Sequence, residues 1–358
     1  MKTAVVCFTG GSGLTHYSVS LARELARYGE VEFITASNFD LHAVTLGFSV
    51  NTLFRRTRHY PLDIVRFVLH ILRTRPDWVL FESWLKYPLL EGFIAALFGL
   101  AGIRTAMTIH DLLPHYPKPW SRRLHAWFYR RFDRLIVHSE STAAALREMG
   151  VPTEPLVVPH GVYDIFRLAD LSRKDVLAHF PGLGPDDFVV LYFGHVETRK
   201  GILEFLRASE RLAGETGIKF VVAGKNDLAG EAAQELERAR GRPNLILHDR
   251  LIPFEAVQRY FVLADVVALP YREGTTSGVM KLAMAFAKPV IASDVGDLRE
   301  TLRDWPGRLV ATHELGDGLV REILDMRAGY SALRAGAAGA SAKYSWHVIG
   351  KAYQGYLG

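Results

Sequence analysis

The residues best suited to chemistry in this chain lie between Pro270 and Glu300, PYREGTTSGVMKLAMAFAKPVIASDVGDLRE. Ahead of them, Ala264 to Leu269 is a short β-branched apolar run that predicts a buried parallel strand ending at the proline. Arg272, Glu273 and Gly274 then open a loop. Thr275, Thr276, Ser277 and Gly278 are the small polar types that cap a helix and let a ligand come close to backbone amides. Apolar residues at Val279, Leu282, Ala283 and Phe286 predict a helix over 279–287, and Pro289 to Ala292 the next strand. A loop at the carboxyl end of a parallel strand, running into a helix N-terminus, is where open α/β sheets take their ligands; free amides with partial positive charge there suit a diphosphate.

Two further loops have related chemistry. Gly194-His195-Val196-Glu197-Thr198-Arg199-Lys200-Gly201 follows an apolar strand, Phe188 to Phe193, and precedes a helix from Ile202 to Leu212. Cations at a helix start oppose its dipole unless an anion lies between them and the amides, so Arg199 and Lys200 point to a bound diphosphate. Gly10-Gly11-Ser12-Gly13 sits between the first strand, Thr3 to Thr9, and a helix over Leu14 to Tyr28, which is either a phosphate cradle or a tight βα turn. It is not a strict GxGxxG, and Asn38 and Asp40 lie beyond the second strand, so a dinucleotide ribose has no evident acidic partner. His110 and Asp111 stand at the carboxyl end of the strand Thr105 to Ile109. The single cysteine, Cys7, the lack of any Cys/His cluster and the lack of an Asp-x-Asp pair give no metal site to expect.

These loops need a scaffold, and the chain spells one out. Strands at 31–36, 78–82, 105–109 and 135–138 alternate with helices at 61–74, 89–101, 121–132 and from 139 to Gly150; Pro159-His160-Gly161 closes the first half. The second half restarts the pattern with strands at 188–193, 220–225, 245–247 and 264–269 and a helix at 254–263. Alternation of this kind predicts α/β structure with parallel, doubly wound, Rossmann-like sheets, and 358 residues suffice for two such domains, placed at 1–165 and 166–342.

Hydrophobic residues at 49% and charged residues at 23% are ordinary for a soluble globular chain, and the longest uncharged apolar run, Gly92 to Ile103, is too short to span a membrane. A cytoplasmic protein is the expectation. The net charge of +5 is concentrated in two stretches, Arg55 to Arg75 and Lys118 to Arg134, both interleaved with aromatic residues. Arg66 and Arg73 share one helical face, and Arg123, Trp127 and Arg130 another. Such faces serve nucleic acid, an anionic membrane or an acidic acceptor, or are simply solvated. No nucleic-acid recognition motif accompanies them, so nucleic acid is not an expected partner.

The segment 270–300 resembles the donor site of glycosyltransferase family 4, whose members have the two-Rossmann (GT-B) architecture, and the resemblance covers essentially the whole chain. The family pattern of Glu, seven residues, Glu, then Pro-Val-Ile/Val-Ala-Ser/Thr-Asp-x-Gly-Gly is met by Glu273 with Gly274 and by Asp294, Val295 and Gly296; Lys281 stands where the second Glu is usual and Asp297 where the second Gly is. Either another group takes the ribose or the ribose is held differently. TIHDLLPHYP resembles the family's TxHDxxPH, in which the histidine, here His110, contacts the donor near the reacting centre. Gly194 to Gly201 resembles F-G-R-x-x-x-x-K-G, with Lys200 as the motif lysine, His195 in place of the arginine and Arg199 able to compensate. VHSE and VVPHGV resemble segments bordering the interdomain cleft. The resemblance further implies donor contacts from Gly11, Ser12, Gly13, Gly224, Lys225, Thr276, Ser277, Gly278, Val279 and Lys281, with Arg250 and Leu251 near the base. It also implies that the last helix, 343–358, crosses back onto the first domain.

The function so implied is transfer of a sugar from a nucleotide-diphosphate donor, a UDP- or GDP-sugar, to a saccharide or lipid-linked acceptor in glycan or exopolysaccharide synthesis. His110, Glu273 and Lys200 are the expected catalytic residues, no cofactor or metal is expected, and the stereochemistry is retaining. Arg66, Arg73, Arg123, Trp127 and Arg130 are candidates for meeting an acceptor at the inner face of the plasma membrane. Other classes on the same scaffold are a non-catalytic nucleotide-sugar binder and a nucleotide-sugar epimerase; a phosphorylase lacks a cofactor-lysine signature.

Overall fold

The computed structural model describes residues 1–39, 41, 44–55, 59–82, 87–114, 117–273, 277–296 and 298–358. Two compact units emerge, Met1–Gly161 with Lys343–Gly358, and Val162–Ala342.

In the first unit the strands are β1 (Lys2–Val6), β2 (Glu30–Ala36), β3 (Ser49–Phe54), β4 (Trp78–Phe81), β5 (Arg104–Ile109), β6 (Arg134–Val137) and β7 (Leu156–Val157). They form one parallel sheet in the order β3-β2-β1-β4-β5-β6-β7. The helices are α1 (Gly13–Leu25), α2 (Tyr60–Thr74), α3 (Pro88–Leu100), α4 (Ser121–Tyr129), α5 (Glu140–Glu148) and, from the C-terminus, α14 (Trp346–Leu357). Alternate strand residues face opposite sides: Ala4, Val6, Val79, Phe81, Met107 and Ile109 pack against α2, α3, α4 and α5. The other face carries α1 and α14. There the Trp78 indole N–H donates to the Leu357 carbonyl at 2.8 Å, and the Tyr353 hydroxyl lies 2.9 Å from both Tyr17 and Thr108. The last helix thus belongs to the first unit's core.

Strand β3 has no counterpart in the sequence reading. It is an edge strand with a solvated face, in a stretch that breaks at Gly47 and alternates only weakly. Helix α4 stops at Tyr129, ahead of the predicted Phe132, and β7 keeps two residues because Pro159 cannot continue a ladder.

The second unit holds β8 (Phe188–Phe193), β9 (Ile218–Gly224), β10 (Leu245–Asp249), β11 (Val266–Leu269), β12 (Val290–Ser293) and β13 (Gly307–Val310), parallel in the order β10-β9-β8-β11-β12-β13. On one face lie α7 (Ile202–Arg211), α8 (Gly230–Ala239) and α12 (Leu315–Ala328), which share a core with the strands. α6 (Arg173–Leu177), α9 (Phe254–Leu263), α10 (Gly278–Ala285), α11 (Leu298–Arg303) and α13 (Tyr330–Ala340) complete the unit. Helix α8 also escaped the sequence reading, its stripe being three buried positions, Ala232, Leu236 and Ala239, among charges.

Tyr353 is fully buried and its hydroxyl serves two neighbours at once. Tyr353→Phe leaves the Tyr17 and Thr108 hydroxyls short of a partner in a dry site and is expected to cost about 1–3 kcal/mol, read as a lower urea midpoint of the first unit's transition.

Candidate active site

In the second unit three loops converge at the carboxyl ends of β8, β9 and β11. Strand β8 ends at Gly194 (φ +96°), whose carbonyl sits where a Cβ on Gly224 would be, 1.8 Å away. Only glycine fits at 224, which lets the ends of β8 and β9 close up. After Gly194 the chain makes a single turn at Thr198–Lys200 and passes through Gly201 in the left-handed region (φ +72°). A Cβ on Gly201 would lie 1.7 Å from the Pro270 carbonyl oxygen, so this loop is pressed against the loop that follows β11. The Arg199 carbonyl then accepts the N–H groups of Arg272 at 2.8 Å and Glu273 at 3.3 Å, stitching the two loops together. The Arg272 guanidinium pairs with Glu204, a carboxylate 4% exposed in the first turn of α7.

Lys200 is half-buried. Its ammonium stands 3.9 Å from the point a Gly194 side chain would occupy, and Val279 Cγ2 is 3.5 Å from the same point. The space above Gly194 is therefore flanked by a cation and by the first turn of α10. Burial pulls the Lys200 pKa below its ordinary value; Glu197 works against that and Arg199 with it. Arg199 is anchored by its Nε 2.6 Å from Glu197 Oε2. Ser277 caps α10: its hydroxyl accepts from the Met280 amide at 3.2 Å and meets the Tyr271 hydroxyl at 3.0 Å. That leaves the amides of Gly278 and Val279 ahead of the first intrahelical acceptor, with the positive end of the helix dipole behind them. A doubly charged phosphate group is the ligand such a set recognises.

The remaining predicted donor residues divide. Glu273 is exposed, with no ion pair among the described residues. Lys281 is 7% exposed, its backbone carbonyl accepting the Tyr163 amide. Lys225 and His195 share Asp227, at 3.1 and 3.0 Å, so the Lys225 charge is already compensated. Arg250 stands by Tyr260, whose hydroxyl bonds His248 Nδ1 at 2.7 Å, while Leu251 is exposed. Thr276, with Gly274, Thr275 and Asp297, lies outside the described residues.

In the first unit Ser12 is the N-cap of α1, in a capping box with Thr15; Gly11 is open to solvent and Gly13 is the first helical residue. His110 stands at the end of β5, its Nε2 3.6 Å from Glu82 Oε2 and its Nδ1 3.3 Å from His138 Nε2. Burial raises the Glu82 pKa, with His110 and Thr108 opposing. His160, at the end of β7, completes a ring of imidazoles around Tyr17. The sequence reading assigned no chemistry to Glu82, and saw in His160 no more than a turn residue or the border of a cleft. The available signal was that Glu82, His110 and His138 each directly follow a strand, and that those strands are neighbours.

The basic helices look different in three dimensions. Arg66 lies 3.8 Å from Asp63, and Arg73 and Arg123 are exposed. Arg130 donates twice to the Gly150 carbonyl, at 2.8 and 3.2 Å, and so holds the end of α5. Trp127 packs over Gly92 and Phe93 of α3 with the Arg131 guanidinium 4.7 Å above its ring.

Two units, each built on one parallel sheet flanked by helices, define a two-Rossmann type of protein. Residues 11–164 match the model of Glycosyltransferase Family 4 and residues 187–328 that of Glycosyl transferases group 1. The chain belongs to the family 4-like glycosyltransferases of GT-B architecture. It is 30% identical over 227 residues to a D-inositol 3-phosphate glycosyltransferase of Mycolicibacterium smegmatis, covering 61% of this chain and 51% of that one. It is 31% identical over 192 residues to its Mycobacterium bovis namesake, covering 51% and 39%, so the chain spans about half the length or less of these relatives. By structure it resembles Anabaena HepE in complex with UDP (TM-score 0.75, 17% identity, 100% of this chain and 99% of that one). It also resembles a glycosyltransferase of Rickettsia africae (0.75, 12%, 99% and 97%) and the UDP-GlcNAc 2-epimerase of Neisseria meningitidis bound to UDP-GlcNAc (0.68, 14%, 100% and 99%).

Because the left-handed Gly201 touches Pro270, Gly201→Ala must part the two loops. A lower melting temperature is expected; a wild-type melting temperature in the variant would refute the loop geometry.

Proposed function

We propose that this chain transfers a sugar from a nucleotide-diphosphate donor to an acceptor hydroxyl. The observation that supports this most directly is the space above Gly194, flanked by the Lys200 ammonium and the start of α10. As the anomeric C–O bond breaks, charge grows on the departing diphosphate. Lys200, Arg199 and the Gly278 and Val279 amides would neutralise it in place, and groups fixed beforehand need no reorganisation at the moment of reaction. The acceptor oxygen forms the new bond to the anomeric carbon, and its proton passes to the departing phosphate oxygen, with retention at the sugar. Glu273 would accept hydrogen bonds from donor hydroxyls, and His110 would serve the reacting centre. UDP and UDP-glucose complexes of the Anabaena neighbour favour a uridine donor.

Epimerisation is the second reading, favoured by the Neisseria neighbour of the same fold. Incubating the protein with a UDP-sugar in the presence and absence of acceptors separates them: transfer releases UDP in step with a new glycoside, epimerisation returns an isomeric UDP-sugar. Lys200→Ala is expected to weaken UDP binding by about 1.5–3 kcal/mol, the range of a charge-assisted hydrogen bond. Unchanged affinity by calorimetry removes Lys200 from the site.

The first unit supports an acceptor at an anionic membrane surface. Leu90, Phe93, Leu97 and Leu100 form one outward stripe of α3, and Leu62, Val65 and Leu69 one of α2, with Leu100 88% exposed. Arg66 and Arg73 flank the α2 stripe, and Arg122, Arg123 and Arg130 rim a shallow depression on α4. Among the described residues no helix is long and apolar enough to cross a membrane, so attachment by these faces would be peripheral. Cosedimentation with phosphatidylserine vesicles is expected at low salt. Leu100→Asp and Arg123→Glu should each reduce it, the charge near the leaflet being worth about 1 kcal/mol; vesicle binding equal in both variants and wild type would dismiss this surface.

A further inference from the structure

Glu82, His110, His138 and Val158 each directly follow one of the neighbouring strands β4, β5, β6 and β7. His138 Nδ1 lies 3.2 Å from the Val158 carbonyl, which can only accept, so that nitrogen carries a proton. His138 Nε2 in turn meets His110 Nδ1 at 3.3 Å, and with His138 neutral it is His110 that donates. A neutral His110 then has its lone pair on Nε2. That lone pair faces Glu82 Oε2, 3.6 Å away. Both atoms are buried, and neither has a hydrogen-bond partner among the described residues. Two acceptors facing each other away from water are unfavourable unless a proton stands between them. Burial raises the Glu82 pKa, so the carboxyl is the group that brings this proton. Its Oε1 accepts from the Thr108 hydroxyl at 2.9 Å, which leaves Oε2 to carry it.

We propose that Glu82 is a positioning residue for His110: it shares one proton with Nε2, fixes the imidazole as the Nδ1–H tautomer, and can hand that proton over to make the ring a cation. The transfer breaks the Oε2–H bond and forms an Nε2–H bond. The pair stays neutral, with a carboxylate inside and an imidazolium at the sheet edge, and no proton has to come from water. At 3.6 Å the contact is longer than a hydrogen bond, and catalytic contacts of this kind tighten when substrate is bound. The titratable groups packed around the pair are Tyr17 of α1, its ring 4.7 Å from that of His110, the His138 and His160 rings at 4.9 and 5.8 Å, and Tyr353 of α14, bonded to Thr108. The shared proton is a property of the first unit alone. Its effect on rate rests on the proposed place of His110 at the reacting centre, where a cation formed on demand answers negative charge growing on the departing phosphate.

Histidine ring NMR spectra of the isotope-labelled full chain, assigned with His110→Asn, test the proton, and release of UDP from UDP-glucose tests the rate. Wild-type His110 is expected to be protonated on Nδ1 at neutral pH. Glu82→Gln, whose amide can donate to Nε2 but cannot transfer a proton, should keep that tautomer and lose about 100-fold in kcat with little change in KM. Wild-type turnover should fall as pH rises and the pair gives up its proton; the residual turnover of Glu82→Gln should lack that fall, a change that a merely structural role does not produce. A neutral wild-type His110 with its proton on Nε2 overturns the proposal, whether or not UDP-glucose is turned over and whether or not Glu82→Gln folds. Loss of turnover in His110→Asn beside a wild-type kcat and pH profile in Glu82→Gln overturns the role of Glu82 alone. Wild-type turnover in His110→Asn overturns the place of His110 at the reacting centre, and the role of Glu82 with it.

Discussion

A carboxylate held away from water organises the first unit. Glu82 is wholly buried, which raises the pKa of its carboxyl group, with His110 and Thr108 opposing. Thr108 donates to Oε1 at 2.9 Å, which turns the threonine's lone pairs to Tyr353 and makes the tyrosine hydroxyl the donor; Tyr17 in turn donates to Tyr353. With the carboxylate ionised, the protons of this chain run one way, from Tyr17 to Glu82. It links α1, the sheet and the last helix in one polar thread through an otherwise apolar layer. Glu82 Oε2, facing His110, sits outside the thread and ties it to the chemistry at the sheet edge.

The second unit solves a different problem, bringing backbone against backbone. Gly194 against Gly224 and Gly201 against Pro270 are approaches that no side chain permits. They draw the loops after β8, β9 and β11 together, so that Lys200 and the start of α10 flank one small volume. The Arg272–Glu204 pair, with its carboxylate in α7, then keeps the loop after β11 from lifting.

Much of this was legible in the sequence because parallel strands buried on both faces read as continuous apolar runs: β8 and α9 have their predicted limits, and most other elements are within a few residues. Elements that lean on few apolar residues, such as the edge strand β3 and helix α8, left little periodicity to find. In the site, Arg199, Lys200, Ser277 and Gly278 were visible as local patterns of a loop and a cap. The histidine ring was not, since its members come from separate segments and meet only through strand order. Spacing along α4 places Trp127 beside the arginines, whereas its packing against α3, where Gly92 leaves the room for the indole, needs the fold to be seen.

The assignment of residues 343–358 to the first unit bears on how the chain is made. A ribosome completes the first seven strands, then the whole second unit, and only afterwards the helix that covers Tyr17, Trp78 and Thr108. The second unit is continuous in sequence and can close as soon as it emerges, so the usual order in which the N-terminal domain folds first is inverted here. Until α14 has emerged, the face of the first sheet that awaits it is an open apolar surface whose hydroxyls lack the Tyr353 partner. That makes the nascent chain, rather than the finished protein, the form most exposed to aggregation and most in need of a chaperone.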